Sequence, residues 1–132
     1  MPAFPIPTPS AAAVAGSPYS PAIRAGDWVL ISGQVGLDPA TGALAPGGIE
    51  AEVGQVLANL SAILGDCGAA WTDVAKCTIF LAGSLDHFGT VNTAYAAALG
   101  DHRPARSTVA VAALPLGAAV EIEALVYLPS GG

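Results

Sequence analysis

The stretch IEAEVGQVLANLSAILGDCG, residues 49–68, decides the fold, because it carries the clearest helical pattern of the chain. Its apolar residues recur at intervals of three and four and so form one stripe. Glu50 and Glu52 stand near the positive N-terminal end of the helix dipole, and glycines stand where the helix would end. The stripe consists of Ile49, Val53, Val56, Leu57, Leu60, Ile63, Leu64 and Cys67. We therefore predict a helix with one apolar face.

Strand-like sequence precedes this helix. It begins near Tyr19, turns at residues 25–27 and resumes over residues 28–32; this spacing and the Gly-Asp pair are typical of a β-hairpin. Ser32 and Gly33 come next and predict a turn with exposed backbone amides. The residues before the helix thus predict two antiparallel strands.

The pattern after the helix alternates between strand and helix. β-branched and aromatic residues predict a strand over Val74 to Leu81. A second helix is predicted from about Leu85 to Leu99, with the polar Asn92 inside its apolar stripe. Two further strands are predicted, roughly over Ser107 to Ala112 and Ala119 to Leu128. The order ββ(β)αβαββ predicts an α+β fold in which two helices pack on one face of a sheet.

The composition is rich in apolar residues and poor in charge. Of 132 residues, 53% are hydrophobic and 11% are charged. The length predicts a single domain over residues 1–132, and prolines at positions 2, 5, 7 and 9 predict an irregular Pro/Ala-rich arm over residues 1–17. Several strands have apolar residues on both faces, so we expect part of this surface to be hidden against other copies of the chain.

The formal charge of −6 comes from ten acidic and only four basic residues, which excludes clusters of cations for nucleic acid or for a membrane surface. No apolar stretch is long enough for a bilayer span, and the proline-rich opening lacks the basic residues of a secretory signal. Cys67 and Cys77 predict two buried thiols in a reducing cytosol. Only two histidines are present, so we expect no metal site. The thiols and the lack of signal features in the opening predict a cytoplasmic protein.

Arg106 is unusual in a chain with so few cations. It follows Pro104-Ala105 at the start of a predicted strand. Its planar guanidinium can bind a carboxylate through two parallel hydrogen bonds, which makes a small organic acid its natural ligand. The residue alone also fits an exposed arginine that only adds solubility.

Glu121 and Glu123 form the second unusual pattern. They stand two positions apart in VEIEA, residues 120–124, and so lie on one face of a predicted strand whose other face is apolar. Either the two residues form a solvated sheet face, or the pair supplies a carboxylate group that positions water or moves a proton. Burial and neighbouring charge would set the pKa of such a carboxylate.

Other candidates give weaker signals. Asn92 fits a side chain that bonds nearby backbone, and Tyr19 fits a packing residue at a strand start. Ser32 lacks the GxSxG context and the histidine partner of a serine nucleophile. Removal of Met1 would expose Pro2 as a base, as in the tautomerase superfamily, but the prolines that follow block the strand with which those proteins begin.

A series of short segments runs through the chain after the arm. They are PYS (18–20), ISGQ (31–34), LDP (37–39), TG (41–42), QVLAN (55–59), DVAKCT (73–78), VNTAY (91–95), PARS (104–107), LP (114–115) and EIEA (121–124). PARS followed by LP and EIEA is the most specific combination. In this order the segments resemble the Rid (YjgF-like) family of reactive-intermediate imine deaminases.

The resemblance implies a chorismate-mutase-like subunit that assembles as a homotrimer, with the active sites in clefts between subunits. It implies hydrolysis of enamine and imine acids such as 2-aminoacrylate to 2-keto acids and ammonia, without a metal or an organic cofactor. By position, Arg106 would bind the substrate carboxylate and Glu121 would hold the attacking water. The residues that would bind the substrate around them are Tyr19, Ser32, Gly33, Asn92 and, through its backbone, Thr108.

The chain departs from the family pattern at three positions. Thr108 stands where many members have cysteine, Ser17 replaces the usual glycine before PY, and Pro21 replaces a common glutamine. The last two changes predict a reshaped loop around Tyr19, which bears on the choice of substrate. Two alternative functions remain: an enzyme recruited to another reaction on a small imine or carbonyl acid, and a non-catalytic member that binds a metabolite or a protein.

Overall fold

The computed structural model of the protein describes residues 2–11 and 17–129. Within these residues the chain forms six strands and two α-helices, which confirms the predicted α+β order. The helices are α1 (Ile49–Asp66) and α2 (Phe88–Leu99), and the strands are β1 (Phe4–Pro5), β2 (Ala22–Ala25), β3 (Trp28–Val35), β4 (Val74–Ala82), β5 (Ala105–Val111) and β6 (Val120–Tyr127). Single-turn 3₁₀ helices at Trp71–Asp73 and Pro115–Gly117 precede β4 and β6.

The strands form one mixed sheet in the order β1-β2-β3-β6-β4-β5. β4 and β5 are parallel, and the other neighbouring strands are antiparallel. Helix α2 connects the parallel pair, because parallel neighbours need a long crossover. This connection places α2 beside β5, which begins at Ala105 and carries Arg106.

The core lies between the sheet and the two helices, as the apolar stripes predict. Every second residue of β4 and β6 is buried on the helix side of the sheet. The largest fully buried side chains are Leu60, Ile63, Leu64, Ile79, Leu81, Ile122, Val29, Val53, Val56, Val74, Val91 and Val120. None of the helices in the described ranges combines the length and the apolar character that crossing a bilayer requires.

The opposite face of the sheet, which we call the open face, has no helix over it. It carries large apolar side chains that are 40–47% exposed: Trp28, Leu30, Val109 and Tyr127. The rings of Trp28 and Tyr127 contact each other across β3 and β6, with centroids 5.0 Å apart. A single copy of the chain therefore leaves an apolar surface in water, as the composition predicts.

Two residues of the arm, which the sequence predicts as irregular over residues 1–17, form a strand. Phe4–Pro5 forms strand β1 against β2, because an edge strand tolerates a proline whose missing N–H would face away from the sheet. Further along, the backbone N and the Oγ of Ser10 both donate to the Asp66 carboxylate at 2.9 Å, which ties the arm to the end of α1. Residues 12–16 of the arm lie outside the described residues.

Two helix ends also differ from the predictions. Helix α2 begins at Phe88 and not near Leu85, because the Oγ of Ser84 accepts the backbone N–H of Asp86 and holds a turn there. Cys67 caps the end of α1 and is only half-buried, since the chain leaves the core at this point. The prediction of two buried thiols is therefore wrong for Cys67 and confirmed for Cys77.

Candidate active site

Four of the predicted site residues line one cavity of about 540 Å³ at the junction of β3 and β6. They are Tyr19, Ser32, Gly33 and Glu121. Val35, Leu37 and the turn at Pro115–Leu116 add apolar surface to the wall, and Ser17, Gln34 and Glu123 add polar groups. Pockets that take small organic molecules have this size, with mostly apolar walls and a few polar groups.

Ser32 and Gly33 lie in a β-bulge, and not in the turn that the sequence predicts. Ile31 pairs with Ala124 and Gln34 pairs with Ile122, so two residues of β3 face one residue of β6. A bulge of this kind bends the strand and re-aims side chains, and it often occurs beside active sites. The strand continues through the Ser-Gly pair because neither residue needs a left-handed backbone there.

Gly33 leaves the space that the Glu121 side chain occupies. A Cβ atom built on Gly33 would overlap the carboxylate and would lie 2.8 Å from its Cδ. Any larger residue at this position would therefore have to displace Glu121. The bulge and the glycine together bring the β3 backbone against the carboxylate, inside the cavity.

Ser32 connects the cavity to the loop that carries Tyr19. Its Oγ donates to the carbonyl oxygen of Ser20 at 2.7 Å, and its backbone N–H donates to the carbonyl oxygen of Pro21 at 2.9 Å. The Ser32 amide is therefore already paired, which corrects the prediction that it is exposed. Through these two bonds Ser32 holds the loop of the 57%-exposed Tyr19 at the mouth of the cavity.

Glu121 has the electrostatic properties of a proton acceptor. Burial raises the pKa of its carboxyl group above the ordinary glutamate value, and the nearby charge of Glu123 raises it further. A raised pKa makes the ionised carboxylate a stronger base. Of the two acids in β6, Glu121 is the half-buried one and Glu123 is exposed.

Arg106 lies in a separate group of side chains, against α2. Its Nη2 donates to the Oδ1 of Asn92 at 2.6 Å, and its guanidinium carbon lies 4.9 Å from the ring centroid of Tyr95 and 5.6 Å from that of Phe88. The rings contribute cation–π attraction, and the amide fixes one edge of the fork. Arg106 is thus held in place, with guanidinium N–H groups left to bind a carboxylate.

Two buried hydroxyl groups lie on the same side of the sheet as Arg106 and lack a hydrogen-bond partner. The Oη of Tyr95 and the Oγ1 of Thr108 are buried and have no hydrogen-bond partner at normal geometry. The Tyr95 hydroxyl still interacts with the Cys77 thiol, and burial raises the pKa of both groups. Arg106 opposes this rise, because its positive charge favours the ionised forms.

The two groups of residues lie on opposite faces of the sheet. Arg106 and Thr108 pair with Cys77 and Ile79 of β4, which are buried under the helices, so they belong to the helix face. Glu121 alternates with buried residues of β6 and belongs to the open face. A single chain therefore assembles two half-sites: the carboxylate half around Glu121 and the guanidinium half around Arg106.

Phe88, Tyr95 and Leu116 are among the residues of these half-sites that were not predicted from the sequence. Phe88 and Tyr95 flank Asn92 in the apolar stripe of α2, and that spacing is the signal that could have placed them beside Arg106. Leu116 gave no signal, because its role depends on a backbone conformation. Among residues 2–11 and 17–129, no three His, Cys, Asp or Glu side chains come close enough to hold a metal ion.

Known proteins match this chain over most of its length. A family profile described as "Endoribonuclease L-PSP" matches residues 9–128. A Mus musculus protein named 2-iminobutanoate/2-iminopropanoate deaminase is 47% identical over 108 residues, which are 82% of this chain and 79% of the relative. Structural similarity is just as extensive. RidA from an Antarctic Psychrobacter has a TM-score of 0.88 at 41% identity and covers 95% of this chain and 99% of its own.

The YjgF gene product of E. coli has a TM-score of 0.86 at 37% identity, with 94% of this chain and 98% of that chain covered. The residues that the family profile matches, 9–128, include both half-sites. The chain therefore belongs to the endoribonuclease L-PSP family, the Rid (YjgF-like) family that its sequence motifs indicate.

Proposed function

We propose that this protein is an enzyme that hydrolyses enamine and imine acids of the 2-aminoacrylate type to 2-keto acids and ammonia. Relatives that are 43–47% identical over most of the chain carry the name 2-iminobutanoate/2-iminopropanoate deaminase. The chain also retains a fixed guanidinium for an organic acid and a carboxylate with a raised pKa, which this reaction requires.

The chemistry needs little from the protein, because an iminium carbon is already electrophilic. In the proposed mechanism, Arg106 binds the substrate carboxylate through its fork. The Glu121 carboxylate accepts a proton from a water molecule while the water oxygen attacks the imine carbon. The proton then passes from Glu121 to the nitrogen of the tetrahedral intermediate. The C–N bond breaks and ammonia leaves while the new hydroxyl group returns its proton to the Glu121 carboxylate and becomes the carbonyl. Tyr19, Asn92 and the backbone of Thr108 orient the substrate, and no metal or organic cofactor takes part.

The observation that carries the proposal is the separation of the two half-sites on opposite faces of the sheet. One substrate can contact both Arg106 and Glu121 only if the half-sites come from two copies of the chain. We propose a homotrimer in which each cleft joins the guanidinium half of one subunit to the carboxylate half of the next, since a closed ring satisfies every half-site. The uncovered apolar residues of the open face support such an assembly.

Co-assembly of two inactive variants tests the shared site directly. We expect Arg106→Ala and Glu121→Gln subunits, co-expressed with different tags and purified through both tags, to form mixed trimers with one restored cleft in each. Such trimers would show about one third of the wild-type rate, because one of three junctions joins two intact half-sites. Activity no higher than that of either variant alone would show that each site lies within one chain.

Trapping of imines tests the activity itself. Imine acids generated in situ from amino acids react with semicarbazide, and we expect the protein to compete with this trapping and to release 2-keto acid faster. No acceleration by a correctly folded protein would reject the proposed reaction. Light scattering during size-exclusion chromatography checks the assembly, and a stable monomer would contradict the shared cleft.

The charge and the cysteines support the remaining parts of the proposal. The family description names an endoribonuclease, but a net charge of −6 with four basic residues leaves little to attract a phosphate backbone. We therefore propose small-molecule substrates and no nucleic-acid partner. Cys67 and Cys77 are both free thiols, which suits a reducing cytoplasm.

The space at Gly33 gives a further test of the carboxylate half. We expect Gly33→Ala to lower kcat/KM by at least tenfold, because the new Cβ displaces the Glu121 carboxylate. A misplacement of a reacting group by about 1 Å can lower the rate by about a hundredfold. The melting temperature should hold, since Gly33 does not have a positive φ. Gly54→Ala in α1 is the matched control, because nothing lies within 4 Å of its added Cβ. Wild-type kcat/KM in Gly33→Ala would contradict this role.

A further inference from the structure

Leu116 adopts a backbone conformation that leucine rarely has. Its φ is 63° and its ψ is 17°. Within the described ranges, no other non-glycine residue has a positive φ. A side chain in this left-handed region crowds the backbone, so glycine or asparagine usually occupies such a position. Gly117, the next residue, also has positive φ and relaxes only its own position. Strain of this kind persists where the surroundings enforce it, and it concentrates at functional sites.

Neighbouring bonds enforce this turn. The ring of Pro115 fixes the backbone before Leu116, and the N–H of Ala118 donates to the carbonyl oxygen of Pro115 at 3.1 Å. The N–H of Ala119 donates to the Oε1 of Glu52 at 2.9 Å. Ala118 and Glu52 are both buried, so the turn is anchored to the core on its C-terminal side. The leucine is therefore held at a fixed place and does not belong to a mobile loop tip.

The strained side chain lies at the cavity and not in the core. Leu116 is 64% exposed, the highest value among the exposed large apolar residues of the described chain. It lines the cavity of Glu121, together with Pro115, Val35 and Leu37. Burial in the core of the chain thus does not explain why a leucine occupies the strained position, whereas contact with a ligand in the cavity does.

We propose that Leu116 is a specificity residue that contacts the side chain of the imine acid. It favours imine acids with a longer apolar side chain over those with a methyl group. This inference rests on the proposed function and names the substrates within that class. The cavity is larger than the smallest imine acids need, and apolar Pro115, Val35 and Leu37 line it together with Leu116. A longer aliphatic side chain would displace water from this wall, which stabilises its transition state more than that of a methyl-bearing imine.

Selectivity between two imines tests the proposal. We expect Leu116→Gly to lower the ratio of kcat/KM for the imine of leucine to kcat/KM for the imine of alanine by roughly tenfold to a hundredfold. Leu116→Ala should lower it similarly, and Leu116→Met should retain it. Leu116→Gly should also melt at the wild-type temperature or higher, because glycine accepts the positive φ. Leu85→Ala, at a 48%-exposed leucine outside the cavity, is the matched control and should leave the ratio unchanged.

Two outcomes would overturn the inference while the proposed function stands. The first is an unchanged ratio in Leu116→Gly, whether the two rates hold or fall equally. The second is loss of the wild-type oligomeric mass, which would assign Leu116 to subunit contact. A wild-type protein that accelerates the hydrolysis of neither imine would overturn the proposed function, and this inference with it.

Discussion

Replacing Arg106 by alanine is expected to lower kcat/KM for imine acids by roughly 30-fold to several thousand-fold, the cost of leaving one partner of a desolvated charge pair alone. The substrate carboxylate would lose both arms of the fork, and Arg103, the cation closest in sequence, directs its guanidinium to the backbone oxygens of Gly100 and His102 instead. Arg106→Lys should restore only a small part of the loss, because an ammonium group cannot make two parallel hydrogen bonds or stack on the rings of Tyr95 and Phe88.

The effect should appear in KM as well as in kcat, since the fork binds the substrate and also orients it. Steady-state kinetics with imines of two chain lengths would measure this split. Arg103→Ala is the matched control, because it removes the other cation whose charge acts on Tyr95, while Arg103 itself is exposed and donates to backbone oxygens near its own position. Near-normal kcat/KM in Arg106→Ala, or an equal loss in Arg103→Ala, would reject carboxylate binding by Arg106.

The surroundings of Arg106 explain how so few charges can suffice. In water a lone surface arginine would lose much of its attraction for an acid to screening and to side-chain freedom. Here Asn92 and two aromatic rings restrict the guanidinium, and its half-buried position against α2 reduces the screening. A chain with four basic residues therefore needs only one of them in the site, provided that it is fixed before the substrate binds.

Local patterns predicted the elements of this fold well, because periodicity and turn residues act over short distances. The stripe from Ile49 to Cys67 and the alternation in VEIEA specify a helix and a half-buried strand without reference to the rest of the chain. The ends of helices and strands were predicted less well. The turn at Ser84 depends on a side-chain hydrogen bond, and the strand at Pro5 depends on pairing with a neighbouring strand.

The site could be predicted residue by residue but not as an arrangement. Arg106 and Glu121 stand out by residue type, whereas the faces on which they lie depend on how β5 and β6 pair with β4. The bulge at Ser32 and Gly33 shifts the register of β3 by one residue, and only a glycine within an apolar strand hinted at it. The turn with the positive φ of Leu116 is anchored by the bond from Ala119 to the distant Glu52, which no short pattern marks.

Glu121→Gln is expected to lower kcat by about 100-fold to 10,000-fold, the contribution of a positioned general base. The amide keeps the size of the side chain and its fit against Gly33, but it cannot accept the proton of the attacking water. Binding of a 2-keto acid product should persist, because Arg106 is unchanged. The melting temperature at neutral pH should hold or rise, since the raised pKa means that folding disfavours the charged form of Glu121 and the variant removes this charge.

The pH dependence separates a base from a residue that only shapes the cavity. The active form is the carboxylate, so activity should fall as the pH decreases through the raised pKa of Glu121, at a higher pH than ordinary glutamate would give. Glu123→Gln removes a like charge and should move this acidic limb to lower pH without a large change of the plateau. In Glu121→Gln the limb should vanish from the residual activity. If the limb persists there, or if Glu123→Gln leaves it in place, another group accepts the proton.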